Sequence, residues 1–280
     1  MKMALSRYGA TATAAALLMA LFVALPRPLS AETVLITGAN SGIGLEFTSE
    51  YAARGWKVIA THRRSYVPDT LAKVKARFNN VQIEHMDVTK QDDIKALALK
   101  LKDVPIDVLI NNAGVYNDRS KCRTEDCPGD WSNQNFGELK YSLFDTIMAV
   151  NVKGPLMVSE AFLDNVRASE QKKIVSISST NGSLTEQLPG SGAIFYRASK
   201  AALNRAMQLV ASKEKEQGVI VVLLHPGAVL TERQAYLARY KDMGMVEMPF
   251  TVKHMIKTID KITIQDTGRF MLYDGTTVPW

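Results

Sequence analysis

Apolar and polar positions along the chain fall into two kinds of block. Short runs dense in Val, Ile and Leu predict seven strands: Thr33–Ile36, Trp56–Thr61, Val81–His85, Ile106–Ile110, Lys173–Ser178, Gly218–Leu224 and Arg269–Tyr273. Between them, apolar residues return at helical spacing. One such stretch runs through Phe47, Tyr51 and Ala52 and stops at Gly55; another spans Asp69–Phe78. A third carries Ile94, Leu97, Leu99 and Leu101 on its apolar side. Leu143–Ala168 reads as one long helix that Pro155 should kink just after Asn151, since proline has no N–H to donate. Helices follow from Tyr196 through Leu203 and Met207, and over Thr251–Ile262. Near-continuous apolar strands alternating with helices predict an α/β domain whose parallel sheet is covered on both faces.

Residues 1–31 stand outside this pattern. Met1–Arg7 is short and basic, Thr11–Leu25 is an Ala/Leu-rich run, and Pro26–Ala31 ends in small residues. That is the layout of a secretory signal peptide, although Leu29 is a poor residue ahead of a cleavage site. The run is short for a membrane span. An uncleaved anchor, or a start codon placed too early on a cytoplasmic enzyme, are the competing readings. Export to the periplasm or beyond is the favoured expectation, and membrane contact is expected only if the leader stays on. The remaining residues, 32–280, form the expected catalytic domain. The chain has 280 residues, 46% hydrophobic and 22% charged, enough for one large core. Its net charge of +6 owes three units to Lys2, Arg7 and Arg27 in a leader that holds no acid, so the domain carries 6 − 3 = +3. No basic run suggests nucleic acid. The cysteines are Cys122 and Cys127, which could close a small disulfide in an oxidising compartment or stay as thiols in the cytosol. With no His or third Cys nearby, the pair does not make a zinc site, and no metal is expected.

Candidate chemistry gathers at the carboxyl ends of the strands. The first strand runs directly into Thr37-Gly38-Ala39-Asn40-Ser41-Gly42-Ile43-Gly44 and then a helix. Glycines at that place let the backbone approach a phosphate at the helix N-terminus. The second strand ends in His62-Arg63-Arg64, with no acid before Asp69. An acid there would bind ribose hydroxyls, whereas Arg63 suits a 2′-phosphate, so NADP(H) is expected and NAD(H) fits less well. Asn112-Ala113-Gly114 lies at the end of the fourth strand, where open α/β sheets place ligands. Tyr196 and Lys200 are four apart on a helix, hence on one face. A cation beside a phenol favours the phenolate and would bring the tyrosine towards neutrality, where acid–base catalysis works best. Taken alone, the pair is also a common surface arrangement. His225, before Pro226-Gly227, reads as a structural histidine ahead of a turn. Asn117–Glu138 is a long polar excursion with Trp131 and Phe136, of the kind that is functional or disordered. Residues 228–250, with Tyr236, Met243, Met245, Met248 and Phe250, suit an apolar lid or simple packing.

TGANSGIG, NNAG, Asn151, Ser179 and the YRASK box, in this order and spacing, resemble the short-chain dehydrogenase/reductase family over residues 33–280. VIATHR, IDVLINNAGVY, YRASKAALN, LHPG and YDGTTVPW look like its C-factor/sniffer-like carbonyl reductase branch. The resemblance implies a single doubly wound Rossmann-type domain with strand order 3-2-1-4-5-6-7 and the cofactor over the switch between strands 1 and 4. It implies Tyr196 as general acid/base and Lys200 as the group that lowers its pKa and holds the nicotinamide ribose. Ser179 would orient the substrate carbonyl, and Asn151 would hold a water of the proton relay. Gly38, Asn40, Ser41, Gly42, Ile43 and Gly44 would lie around the pyrophosphate, and Asp87 and Val88 at the adenine. Asn112, Ala113 and Gly114 would run along the cofactor, with Pro226, Gly227, Val229 and Thr231 at the carboxamide end. The expected partner is a small carbonyl or alcohol, with a homo-oligomer compatible with the fold. The interval from Ser179 to Tyr196, 17 residues, is longer than is common in the family, and the cysteine-bearing loop looks enlarged. A non-catalytic NADP-binding or interaction protein on the same fold is the alternative.

Overall fold

The computed structural model describes residues 31–117, 130–186, 190–230 and 245–280. The leader, both cysteines and Thr231 lie outside the described residues. Seven parallel strands make the main sheet: β1 (Thr33–Ile36), β2 (Lys57–His62), β3 (Val81–His85), β4 (Val108–Asn111), β5 (Lys173–Ile177), β6 (Ile220–His225) and β7 (Phe270–Leu272). Their order is β3-β2-β1-β4-β5-β6-β7, as expected from the sequence. The order reverses between β1 and β4, where Val34 faces Val108 and Ile36 faces Ile110. This opens a crevice beyond the strands' carboxyl ends.

Every residue of β1, β4 and β5 is buried, whereas edge strand β3 is open along most of its length. Successive side chains of a strand point to opposite faces, so the sheet feeds two cores. On one face Ile36, Val58, Ile110, Val175 and Val222 pack with α1 (Gly42–Ala53) and α8 (Met248–Lys261). On the other, Leu35, Ile59, Leu109, Ile174 and Leu223 meet residues of α3 (Gln91–Lys100), α5 (Gly154–Ala161) and α7 (Ile194–Glu214). Between β2 and β3 lies α2 (Asp69–Arg77). A smaller cluster of Leu143, Ile147 and Phe195 joins the start of α7 to α4 (Tyr141–Met148).

The sequence differs from the structure in three places. The single helix expected over Leu143–Ala168 is α4, a π turn (Ala149–Lys153), α5 and the short α6 (Leu163–Arg167). The wider turn falls where Pro155 has no N–H for the Asn151 carbonyl four residues earlier. Gly218 closes the helical stretch before β6 in the left-handed conformation (φ 76°), so that strand starts at Ile220 instead of Gly218. Leu99, expected on the apolar face of α3, is 73% exposed, because at about 100° per residue it points away from the side shared by the buried Ile94, Leu97 and Leu101.

Candidate active site

The turn after β1 is held to the exit of β4 by a hydrogen-bonded clasp. Thr37 Oγ1 accepts from the amides of Asn112 at 2.9 Å and Ala113 at 3.0 Å. The Asn112 side chain answers by donating to the carbonyls of Thr37 at 2.9 Å and Gly38 at 3.2 Å. The glycines make this approach possible. A Cβ on Gly44 would lie 2.4 Å from both Asn112 Nδ2 and the Gly38 oxygen, and one on Gly38 (φ +64°) would lie 2.9 Å from the Ala113 backbone. The first turn of α1, with Gly42, Ile43 and Gly44, carries no acidic residue. Its amide end therefore presents positive potential towards the crevice, which suits an anion. The Asn40 carbonyl accepts from Thr70 Oγ1 at 2.7 Å, fixing the far side of the turn next to Ser41.

At the end of β2, His62 is buried and its Nδ1 accepts the Arg64 amide at 3.2 Å. That bond shapes the turn on which Arg63 is exposed. Burial, and then the neighbouring His85, hold His62 below its usual pKa and keep it an acceptor. Beyond β3, Asp87 Oδ1 accepts from the Thr89 amide and hydroxyl at 2.9 and 2.8 Å, while the Asp87 amide donates to Asp93 at 3.0 Å. Val88 is buried against Gly154, where a Cβ would come within 3.1 Å of it.

Tyr196, Ser179 and Lys200 meet over the end of β5. The Ser179 hydroxyl lies near enough to the Tyr196 phenol to pull its pKa down. Ser179 is buried and extended, and its Oγ accepts from the Asn181 amide at 3.2 Å and side chain at 3.3 Å. Lys200 is buried, with Nζ donating to the Ile177 carbonyl at 2.9 Å and lying 5.7 Å from the centre of the Tyr196 ring. Asn151, in the π turn, clasps Val115 in both directions, accepting its amide at 2.9 Å and donating to its carbonyl at 2.8 Å. Asn151 also donates to Ser199 Oγ at 3.0 Å, which in turn donates to the Tyr196 carbonyl at 2.7 Å.

The short chain dehydrogenase family model matches residues 32–242. The chain belongs to the short-chain dehydrogenase family. The C-signal of Myxococcus xanthus is 35% identical over 191 residues, covering 67% of this chain and 100% of that protein. Short-chain dehydrogenase RED3 of Pyricularia oryzae is 32% identical over 268 residues, 89% of this chain and 98% of its own. The NADPH-bound carbonyl reductase from chicken fatty liver matches the fold with a TM-score of 0.76 at 31% identity, over 90% of this chain and 100% of that one. The protein is thus a short-chain dehydrogenase of the carbonyl-reductase-like kind, an oxidoreductase of NAD(P)-dependent type.

In this short-chain dehydrogenase the structure brings Ser179, Tyr196 and Lys200 into one cluster, ties Asn151 to it through Ser199, and places the Gly38–Gly44 turn against Asn112–Gly114. Arg63, Asp87 and Val88 follow the ends of β2 and β3. Gly227 (φ +85°) turns the chain after β6, and Val229–Leu230 pairs in parallel with Val246–Glu247 as a separate ribbon. Pro226 is fixed through its carbonyl, which accepts from Thr251 Oγ1. His225 is not among the acid–base groups at neutral pH: burial, then the Lys200 charge, push it to about 4. Its Nε2 lies 3.3 Å from Thr180 Oγ1, in keeping with a structural histidine.

Lys200 is expected to lower the Tyr196 pKa; in the protein alone the net shift of Tyr196 is upward. Burial outweighs the Ser179 hydroxyl that pulls it down, and the Lys200 ammonium is turned to the Ile177 carbonyl. Sequence reasoning also passed over Thr37, Ser199 and Gln134. The first stood inside a glycine motif and the second inside the YRASK box; Gln134 had no local signal.

Burial lowers Lys200 itself to about 8. In the unfolded chain a lysine keeps its proton to about 10.4, so between these values the unfolded state binds more protons and stability rises with pH. Compared with Lys200→Met, the cofactor-free wild type should gain about 2–3 kcal/mol of unfolding free energy from pH 8 to pH 10. Urea melts across that window test it; a constant difference between the two proteins contradicts a depressed Lys200.

Proposed function

We propose that the protein is an NADP(H)-dependent carbonyl reductase in which Tyr196 is the proton donor. The half-buried phenol of Tyr196, set beside the buried Ser179 hydroxyl and Lys200 ammonium at the carboxyl edge of the sheet, carries this reading. Two hydroxyls so placed can both donate to one carbonyl oxygen. Ser179 has Asn181 donating to its Oγ from two atoms, which leaves its own hydrogen for Tyr196 or for a substrate.

The residues fit the cofactor. The turn at the β1/β4 reversal has glycines, Gly38 and Gly44, where any Cβ would strike Ala113 or Asn112, and the helix start beside it is acid-free. Gly38 to Gly44 would hold the pyrophosphate, Asn112 to Gly114 the adjoining ribose, and Arg63 the 2′-phosphate. Tyr196 and Lys200 would take the nicotinamide ribose, which on this reading draws the phenol down from its raised value. Bound there, the nicotinamide supplies the hydride. Ser179 then orients the carbonyl, and Tyr196 passes its proton to the developing alkoxide. Lys200, still charged near neutrality, stabilises the phenolate left behind. The bound NADPH of the chicken carbonyl reductase supports the same cofactor here.

Tyr196→Phe keeps the ring and removes the proton. It should leave NADPH affinity near wild type and lower turnover by about 10²–10⁴, the usual share of a general acid. Following NADPH oxidation against a panel of aldehydes and ketones measures it. A fully active Tyr196→Phe rules out this mechanism, and NADPH binding without turnover of any carbonyl by the wild type favours a non-catalytic binder.

Arg63 can reach a 2′-phosphate with a charge-assisted, bidentate contact worth about 1.5–3 kcal/mol. Arg63→Ala should weaken NADPH roughly 10–100-fold and spare NADH. Fluorescence titration of both cofactors separates the outcomes; equal losses would place Arg63 away from the phosphate.

A further inference from the structure

We infer that Gln134 is a positioning residue that caps the Tyr196 helix from outside, and that the second half of the 117–138 excursion belongs to the active site for this reason. A helix start leaves four amides without intrahelical partners, and a side chain just before the helix usually serves one of them. In α7 that place is held by Ala193, which has no acceptor and sits in the left-handed region at φ 58°. The amide of Tyr196, third in the helix, instead donates to Gln134 Oε1 at 2.9 Å, across 62 residues of sequence.

Gln134 is fully buried and uses both ends of its amide: Nε2 donates to the Tyr116 carbonyl at 2.7 Å. These two bonds fix which end of the amide faces the helix. They also link the helix start to the exit of β4, because Tyr116 follows Val115, the residue that Asn151 clasps. The turn that presents Gln134, Ser132–Gln134, is itself tied down. Asp130 Oδ1 accepts from the Ser132 amide at 2.9 Å and hydroxyl at 2.7 Å, and the Trp131 ring packs on Tyr116 with centroids 5.1 Å apart. The next residue, Asn135, closes on the approach to the helix, since a Cβ on Gly192 would lie 2.7 Å from Asn135 Oδ1.

The capped amide and the phenol belong to the same residue, so the bond fixes the Tyr196 backbone relative to the Asn112–Tyr116 segment. Displacements of about 1 Å at a reacting group can lower rates by about 10²-fold. This role rests on Tyr196 being the proton donor, but the contact itself can be tested without turnover. Gln134→Met removes both hydrogen bonds at similar volume; Gln134→Glu, kept neutral by its burial, keeps the acceptor for the Tyr196 amide and an O–H donor for the Tyr116 carbonyl. The two variants and wild type are compared in kcat for a carbonyl substrate, in NADPH affinity, and in amide hydrogen exchange across residues 193–198.

Gln134→Met should lower kcat about 10–30-fold with NADPH affinity within about twofold, and speed exchange of the Tyr196 amide at least about tenfold. Gln134→Glu should restore that protection and bring kcat to within about threefold of wild type. The inference is overturned if Gln134→Met keeps wild-type kcat, if Gln134→Glu is as impaired as Gln134→Met, or if exchange rises evenly over the whole domain. Should Gln134→Met fail to fold, the wild-type exchange still decides: a Tyr196 amide as slow as the middle of α7 supports the cap, and a fast one overturns it. If the wild type turns over no carbonyl, the reading of Tyr196 fails while the exchange data still settle the contact.

Discussion

A buried ammonium with a backbone carbonyl for a partner is the constraint on which the site depends. Removing a charged amine from water costs several kcal/mol unless hydrogen bonds replace the lost hydration. Lys200 is held in that state by the Ile177 carbonyl, at the last residue of β5. Moving α7 relative to the sheet would strand the charge, so the helix has little freedom to slide. The turn after Ser179 tightens this further. A Cβ on Gly182 would lie 2.6 Å from the Lys200 backbone carbon, so Thr180–Gly182 rests directly on the helix that carries Tyr196. Ser179 on one side and Tyr196 on the other are thereby held beside each other by the packing beneath them.

Burial acts on both titrating groups at once and in opposite senses. It raises the phenol and lowers the amine, because each loses hydration of its charged form. The attraction between cation and phenolate, which the helical spacing suggests, is the smaller effect when the ammonium is already committed to a carbonyl. Spacing on a helix says that two side chains share a face. It does not say which acceptor the longer one chooses, and that choice is made by the end of a strand more than 20 residues upstream (|i−j| = 23).

The fold was legible for the opposite reason. Strands such as Val108–Asn111 and Ile220–His225 are buried in full or nearly so, and burial on both faces writes itself into composition as uninterrupted Val, Ile and Leu. The glycine turn was legible because close packing admits no side chain at Gly38 and Gly44, a local demand met by residue type. Where a property arises between distant segments, the sequence carried no sign of it. Pro155 marked where the Leu143–Ala168 pattern would break, just after Asn151, but not that the break is a π turn, since the apolar positions continue through it. Gln134 was invisible for the same reason: a glutamine in a polar loop acquires meaning only when a helix 62 residues later begins with a residue that cannot cap itself. The aromatic pair Tyr116–Trp131 likewise joins residues that belong to separate motifs in the sequence.

The raised phenol bears on the direction in which such a site works most readily. A proton donor must keep its proton until negative charge grows on the substrate oxygen, and a half-buried phenol with a raised pKa does so across the neutral range. An alkoxide is a far stronger base than a phenolate, so the transfer remains downhill even when burial has strengthened the phenol's hold. Running the other way, the site would need the phenolate at the outset, and burial opposes that form. Lys200 can offset part of this only by turning some of its charge from the Ile177 carbonyl towards the ring it already lies over. In the protein alone the balance of desolvation and hydrogen bonding therefore keeps the proton on the Tyr196 phenol.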